Sequence, residues 1–454
     1  MLPLIEKYLV FPSVFPANTE SVITVVPRER AFIFSEGEEC TVRMVAVDTQ
    51  FKDVADTSFT VAAKDGVLKF SFHFLDEQEY KIIVTRNEKD VVDTALYSLN
   101  PDLYSLFPLM GDLHSHSTRS DGGQDPATLA GFMRERGYDF YAMTDHHRYY
   151  PSEEVRDALS GLNCGLVALL GEEVHAPGTP LHVVHLGGEM SVNEQYVMHR
   201  EEYDAEIAEI EKRVPQEIPE HYKAYYARAM WASEHIRSVG GLAVMAHPFW
   251  RSNGSKRHNI ATDFAKILLK SGLFDVYELI GAMGQQENNA SVALWSELKC
   301  EGLSIPVVGS SDVHGVHNNR DFPWQRTIAF AAAKEPGAII EAIKKGSTVA
   351  VEITGTDYDT QYRAYGSLRY VNYAQFLLRY YFNRIERLTF GEGVAMRDYV
   401  MGDAPKELVE IQAAHTKLYS DRFFGRASAP EIGTELLSKK AVFDEKHNAY
   451  TVVK

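Results

Sequence analysis

The run SLFPLMGDLHSHSTRSDGG, residues 105–123, decides how the chain is read. Its apolar first half has the character of a buried strand. His114 and His116 follow it, two residues apart, and in an extended chain such residues point to the same face. Two imidazoles placed in this way can grip one cation. The spacing returns in Asp312-Val313-His314, at the end of IPVVGSSDVH (305–314). Other strand-like runs end on similar residues: YDFYAMTD (138–145) on His146, GLAVMA (241–246) on His247, and GLVALLG (165–171) on Glu172 and Glu173. A lone histidine beside an apolar run is usually structural. Paired and single imidazoles with acids, all at strand ends, point to a metal centre.

Helical patterns lie between these runs. Asp125 supplies an N-cap and Pro126 the first helical position, with Leu129, Phe132 and Met133 at helical spacing. Residues 260–271, 288–301 and 336–345 read in the same way. With LHVVHLGG (181–188), FDVYELIG (274–281) and STVAVEI (347–353), strands and helices alternate seven or eight times over residues 109–355. That rhythm predicts an α/β fold, a parallel sheet with helices outside, and a closed barrel fits the repeat best. Barrel active sites are built at the C-terminal ends of the strands, where every candidate ligand falls. A helical insertion is expected over about 191–239, its first part acidic (191–214) and its second a helix over 221–239. Residues 1–108 carry short alternating runs between turn clusters and predict a β-sandwich-like accessory domain. Residues 356–454 predict a mostly helical C-terminal extension. Tyr370, Tyr373, Leu377, Tyr380 and Tyr381 recur there at helical spacing, a stripe that reads as core or as the contact of a homo-oligomer.

Composition narrows the class. The 454 residues are 45% hydrophobic and 24% charged, an ordinary globular mix that excludes disordered and fibrous chains. Lys+Arg is 46 against 63 for Asp+Glu, giving a net charge of −17. That sign opposes nucleic-acid phosphates and anionic membranes, so neither is expected as a partner. Cys40, Cys164 and Cys300 form no CxxC pair, which argues against a disulfide framework or a cysteine zinc site. No apolar run approaches the roughly 20 residues of a membrane span. The opening MLPLIEKYLVFPSVFP lacks a secretory-signal pattern, so a cytoplasmic location is expected. Most of the 17 histidines fall between His114 and His317, which sets the chemistry in the middle of the chain.

Taken in order, GDLHSHSTRSDGG, YAMTDHH, LLGEEV, MAHP and GSSDVHG resemble the motifs of the PHP (polymerase and histidinol phosphatase) superfamily, over about residues 111–350. The resemblance implies a distorted (β/α)7 barrel with a multinuclear metal centre that hydrolyses phosphoesters. Carried over onto this sequence, the ligands are His114, His116, Asp121, His146, Glu173, His182, His247, Asp312 and His314. Some branches have His where this chain has Asp121. The family's G-x-E spacing selects Glu173 over Glu172, and the distance to the following glycine selects His182 over His185. Nitrogen and oxygen donors without cysteine suit Zn, Mn or Fe. So many donors imply two or three divalent ions.

An anionic small-molecule substrate calls for guanidinium groups near the rim. Arg119, Arg148, Arg251 and Arg320 follow the ligand motifs on predicted loops. His147 and His317, extra histidines beside those motifs, are candidates to protonate the leaving oxygen. The leading reading is therefore a phosphoesterase acting on a small phosphorylated molecule through a metal-bridged hydroxide. Two alternatives stand beside it. One is a carboxyl- or carbamoyl-ester hydrolase, because GEEVHAPGTPLHVVHLGG is also similar to the carbaryl-hydrolase-like branch of the superfamily. The other is a non-catalytic, metal-stabilised binding protein, which the full ligand set disfavours because structural sites use fewer ligands.

Overall fold

A computed structural model describes residues 7–49, 56–251, 256–281, 283–316, 324–355, 360–433, 440–444 and 449–453. Alternating apolar and polar residues build the N-terminal strands: β1 (Tyr8–Phe11), β2 (Val14–Pro16), β3 (Thr19–Pro27), β4 (Glu39–Ala46), β5 (Asp56–Ala62), β6 (Leu68–Phe74), β7 (Gln78–Arg86) and β8 (Lys89–Leu99). They form one sheet in the order β1-β3-β6 and another in the order β2-β8-β7-β4-β5. Both sheets contribute to one core, which holds Ile23, Val25, Val42, Phe74, Ile82 and Val84. At the entry to β7 the Leu75 N–H donates to the Tyr80 hydroxyl at 3.0 Å.

The middle of the chain supplies β9 (Phe107–Asp112), β10 (Phe140–Ala142), β11 (Val167–Leu169), β12 (Gly171–Val174), β13 (Val183–Gly187), β14 (Gly241–Met245), β15 (Val276–Ile280), β16 (Val307–Gly309), β17 (Gln325–Ala331), β18 (Thr348–Thr354) and β19 (Gln361–Tyr365). These strands make two mixed sheets, β11-β10-β9-β17-β18-β19 and β12-β13-β14-β15-β16. The β9/β10/β11 and β14/β15/β16 ladders are parallel. The β12/β13, β13/β14, β9/β17, β17/β18 and β18/β19 ladders are antiparallel. This corrects the expected all-parallel sheet. A parallel neighbour needs a crossover of a dozen or more residues, and the short connection 175–182 leaves β13 only the antiparallel option beside β12. Nor do the ladders close into one ring among the described residues. The two sheets instead share an inner core of Leu109, Phe140, Val184, Val244, Val276 and Ala329. Thr327 and Thr348 on the first sheet tie it to β16 of the second, their hydroxyls donating to the Gly309 and Val307 carbonyls at 2.7 and 2.8 Å.

Helices fall close to where periodicity placed them: Pro126–Glu135, Thr262–Lys270, Gln285–Cys300 and Pro336–Lys344. Asp125 caps the first, accepting the Ala127 N–H at 3.3 Å. The insertion folds as helices Asn193–Met198, Arg200–Glu211 and Glu220–Ser238. A helix at Tyr150–Ala158 was not anticipated. Among the described residues no helix is long and apolar enough to cross a membrane.

The C-terminal region adds helices Leu368–Leu377, Asn383–Val400 and Lys406–Phe423, the first two joined by a π-turn over Leu378–Phe382. Tyr373, Leu377 and Tyr381 are buried in one core with Tyr97, Met110, Leu129 and Met133, so the aromatic stripe is interior. It cements these helices to the flank of the first mixed sheet and to the β-sandwich. The Pro126–Glu135 and Asn383–Val400 helices cross in close contact at Gly131 and Gly393. A Cβ on Gly393 would lie 2.4 Å from the Gly131 carbonyl oxygen and 2.5 Å from the Glu135 nitrogen, backbone that cannot swing aside. Gly393→Ala is expected to cost about 1–3 kcal/mol, as overpacking does. Gly391→Ala on the same helix meets only the tip of the flexible Gln412 side chain, at 3.2 Å, and is expected to be neutral or better. Urea unfolding midpoints check the pair, and equal midpoints would contradict the close crossing.

Candidate metal centre

The strand ends bring the ligand motifs to one place. His114 and His116 leave β9, and the His116 N–H donates to the Val313 carbonyl at 2.9 Å. Ser115 and Val313 bridge in parallel, so the two pairs with two-residue spacing lie side by side. His146 and Glu173 form a second such bridge. Asp145 ties down the loop carrying Asp121, accepting the Ser117 N–H at 2.9 Å and the Ser117 hydroxyl at 2.6 Å. His182 stands just before β13, and its carbonyl accepts the Ala246 N–H at 3.4 Å, which sets it beside His247.

Glu173, fully buried, is the hub. Its Oε2 lies 3.4 Å from His114 Nε2, 3.5 Å from His116 Nε2 and 2.7 Å from His146 Nδ1. Its Oε1 lies 2.9 Å from His182 Nδ1 and 3.3 Å from both His175 Nε2 and His247 Nε2. Asp312 Oδ1 is 2.9 Å from His116 Nε2 and 3.3 Å from His114 Nε2. Asp121 Oδ1 is 3.4 Å from His314 Nε2 and 3.5 Å from His146 Nε2. Every ligand implied by the resemblance is therefore in one cluster, with its donor atoms in groups no more than 4.8 Å across.

The donors fit divalent cations. Both oxygens of Glu173, His114 Nε2, His146 Nδ1, His175 Nε2 and His182 Nδ1 are buried without a hydrogen-bond partner. Such atoms are costly unless something else coordinates them. Outer partners fix the ring orientations. His114 Nδ1 donates to Glu278 Oε2 at 3.0 Å and His314 Nδ1 to the Asp312 carbonyl at 2.8 Å, so each presents Nε2 inward. The backbone is strained at the same place: His147, His247 and Asp312 adopt φ of 59°, 23° and 49°, values that concentrate at functional sites.

Electrostatics follow from the crowding. Burial opposes ionisation of Glu173, but the His114, His175 and His182 imidazoles outweigh it and hold the carboxyl well below its usual range. Asp312 is held low in the same way by His114, His116 and His247 against the cost of burial. Hydrogen bonding to His146 brings Asp121 down to about 2. Burial lowers His116 and His182 to about 4, keeping them neutral and able to ligate. Against their burial, the nearby carboxylates raise His114 and His247, and His146 to about 10, so the centre offers ionised carboxylates beside both neutral and protonated imidazoles, and a cation would displace the protons.

Glu172 and His185 are directed elsewhere. Glu172 accepts the Ser191 hydroxyl at 2.8 Å, the Asn193 N–H at 3.3 Å and His185 Nδ1 at 3.2 Å, anchoring the insertion. The insertion in turn orients His147. The Tyr196 hydroxyl donates to Asn193 Oδ1, so it accepts from His147 Nδ1 at 2.8 Å and from the His175 N–H at 3.3 Å. That leaves a lone pair on His147 Nε2. Burial and the neighbouring His175 and His146 push its pKa down to about 4. His147 is therefore a neutral imidazole at neutral pH, held beside the centre by Tyr196.

The arginines are placed differently from expectation. Arg119 is held by Glu154 through Nε at 3.0 Å and by Asp125 through Nη2 at 2.8 Å. Arg251 pairs with Glu287 at 2.9 Å. Among the described residues the exposed Arg148 side chain reaches only the Tyr150 hydroxyl, at 3.4 Å. Loop position alone did not reveal these acidic partners. His317 and Arg320 lie outside the described residues. Two residues of the centre were missed from sequence, His175 and Glu278. His175 stands two after Glu173, the same spacing that identified the other pairs. Glu278 gives no signal beyond an acid inside the apolar run VYELI.

No protein-family model matches the sequence. Among curated proteins, the chain is 42% identical over 53 residues to the DNA polymerase/3'-5' exonuclease PolX of Bacillus subtilis (strain 168), which is 12% of this chain and 9% of that protein's length. Among solved structures, it is similar to a two-domain protein containing a predicted PHP-like metal-dependent phosphoesterase from Bacteroides vulgatus. Identity there is 16%, over 58% of this chain and 76% of that one, with a TM-score of 0.38. It is also similar to an amidohydrolase from Chromobacterium violaceum with bound sulfate and no metal, at 16% identity over 46% of this chain and 89% of that one, with a TM-score of 0.31.

Proposed function

We propose that this chain is a metal-dependent hydrolase of the PHP type that cleaves phosphoesters of a small molecule. The two facing sheets are then halves of a distorted barrel. The observation that carries the reading is Glu173, a buried carboxylate with neither oxygen hydrogen-bonded, ringed by imidazoles from separate strand ends. Its two oxygens face different imidazole sets, so it could serve more than one cation. His114, His116, Asp121, His146, Glu173, His182, His247, Asp312 and His314 would hold two or three divalent ions.

Bound ions supply Lewis acidity and an acidified water. The chain's own groups do the rest. Glu173, Asp312 and Asp121 remain ionised and offset the mutual repulsion of neighbouring cations. His147, its ring fixed by Tyr196 and Asn193, stands next to His146 as a neutral imidazole that would pass a proton at the leaving oxygen. Trp250, half-buried and with its ring 6.0 Å from that of His182, offers an apolar wall for the ester's organic part.

A carboxyl- or carbamoyl-ester hydrolase is the second reading. One observation favours it: Arg119 and Arg251 are both engaged by carboxylates, which leaves Arg148 as the one described rim arginine of the set without an acidic partner. The test uses the full chain stripped with chelator and reloaded with Zn, Mn or Fe. Turnover of phosphomonoesters or phosphodiesters that needs the cation is the expected result. Turnover of aryl carbamates alone would replace the first reading by the second. Absence of cation uptake would sink both.

A further inference from the structure

We propose that His175 is a further metal ligand, outside the set that the ordered motifs supply, and that it shares a cation with Glu173 and His146. The inference rests on the metal-centre reading above. Glu173-Val174-His175 repeats the spacing of His114-Ser115-His116 and Asp312-Val313-His314, so three pairs, not two, turn both members inward. The geometry agrees. His175 Nε2 lies 3.3 Å from Glu173 Oε1, is buried, and has no hydrogen-bond partner. It falls with Glu173 and His146 in a group of donor atoms mutually within 4.8 Å.

The ring is held in place for this. The backbone N–H of His175 donates to the Tyr196 hydroxyl at 3.3 Å, which fixes the main chain, and the imidazole itself stacks on His182 with centroids 3.7 Å apart. His175 and His146 are about one-fifth exposed, while Glu173 is fully buried. A cation at this group would have three protein donors, one of them fully buried, and would keep positions for water or substrate. The helical insertion, through Tyr196, thus helps to complete the metal centre.

Isothermal titration of the chelator-stripped full chain with Zn2+, together with elemental analysis after dialysis, tests the assignment without any substrate. His175→Ala removes the donor. His175→Phe removes it too but keeps a ring stacked on His182 and fills the space if alanine unfolds the site. Both variants are expected to lose one class of cation or to bind it at least about tenfold more weakly. Isotherms like wild type in both would overturn the proposal. So would loss in His175→Ala with normal binding in His175→Phe, which would make the histidine a packing residue. No uptake by wild type would overturn the metal reading itself, a result distinguishable from failure of His175 alone.

Discussion

Glu173→Ala is expected to abolish cation uptake and to lower hydrolysis by at least about a thousandfold. The size follows from what the side chain does. Lewis-acid stabilisation is worth several kcal/mol, and about 4 kcal/mol corresponds to a thousandfold in rate. Glu173 is the residue on which that stabilisation depends, because its two oxygens serve imidazoles on both sides. Without it His175 and His182 lose their carboxylate, and His114, His116, His247 and His146 are left with Asp312 or Asp121. Glu172→Ala, one position away, is expected to act differently. Its carboxylate anchors Ser191, Asn193 and His185, so its loss leaves buried donors unpaired at about 1–3 kcal/mol. Stability falls in that variant while cation content per folded molecule stays near wild type. Elemental analysis and thermal melts on both variants decide the matter. Full cation content in Glu173→Ala would remove the hub from the argument.

The contrast between Glu172 and Glu173 also shows what the sequence could reveal. A strand turns successive side chains to opposite faces, so one of two adjacent acids had to point away from the centre. Only spacing relative to Gly171 chose between them. The same two-residue rule brought out His114 with His116 and Asp312 with His314, because both pairs end long apolar runs. His175 escaped notice although it obeys the rule, since the run before it had already ended in two acids. Strand direction was not legible: apolar runs such as GLVALL and LHVV look alike whether the neighbour is parallel or antiparallel, and loop length was the only clue. Nor could the partners of Arg119 be read, because Glu154 lies 35 residues away on the Tyr150–Ala158 helix, and spacing along the chain does not show which acid folds back onto a loop arginine. The tautomer of His147 depends on Tyr196, an insertion residue roughly fifty positions away. Helical spacing marked the stripe from Tyr370 to Tyr381, but periodicity alone cannot say whether an apolar face meets the same chain or another copy.

The C-terminal helices raise a separate question, whether they are an accessory or part of the fold's stability, and Glu392 answers it. Glu392 is fully buried within the Asn383–Val400 helix, and Arg134, 2% exposed, meets it at 2.9 Å from the Pro126–Glu135 helix just behind the ligand loops. Glu392 also accepts the Gly165 N–H, while Arg134 Nη1 donates to the Tyr138 carbonyl at 2.9 Å. Removing one member of such a pair strands the other charge in a dry interior, at about 3–5 kcal/mol. Typical domain stabilities are only about 5–15 kcal/mol. Glu392→Ala is therefore expected to lower the urea midpoint steeply and to leave much of the chain unfolded at physiological temperature. Asp139, 3.3 Å from Arg134, does not rescue it, because Lys334 already pairs with that carboxylate at 2.6 Å. Replacing both partners with apolar residues, Arg134→Met with Glu392→Leu, should recover most of the loss, since buried pairs exchanged whole for hydrophobic ones are often neutral. Recovery identifies the damage as an uncompensated charge. If the double variant were as unstable as Glu392→Ala, the hydrogen bond to Gly165 would be the contact that matters, and the helix would be held by its backbone partner instead of its ion pair.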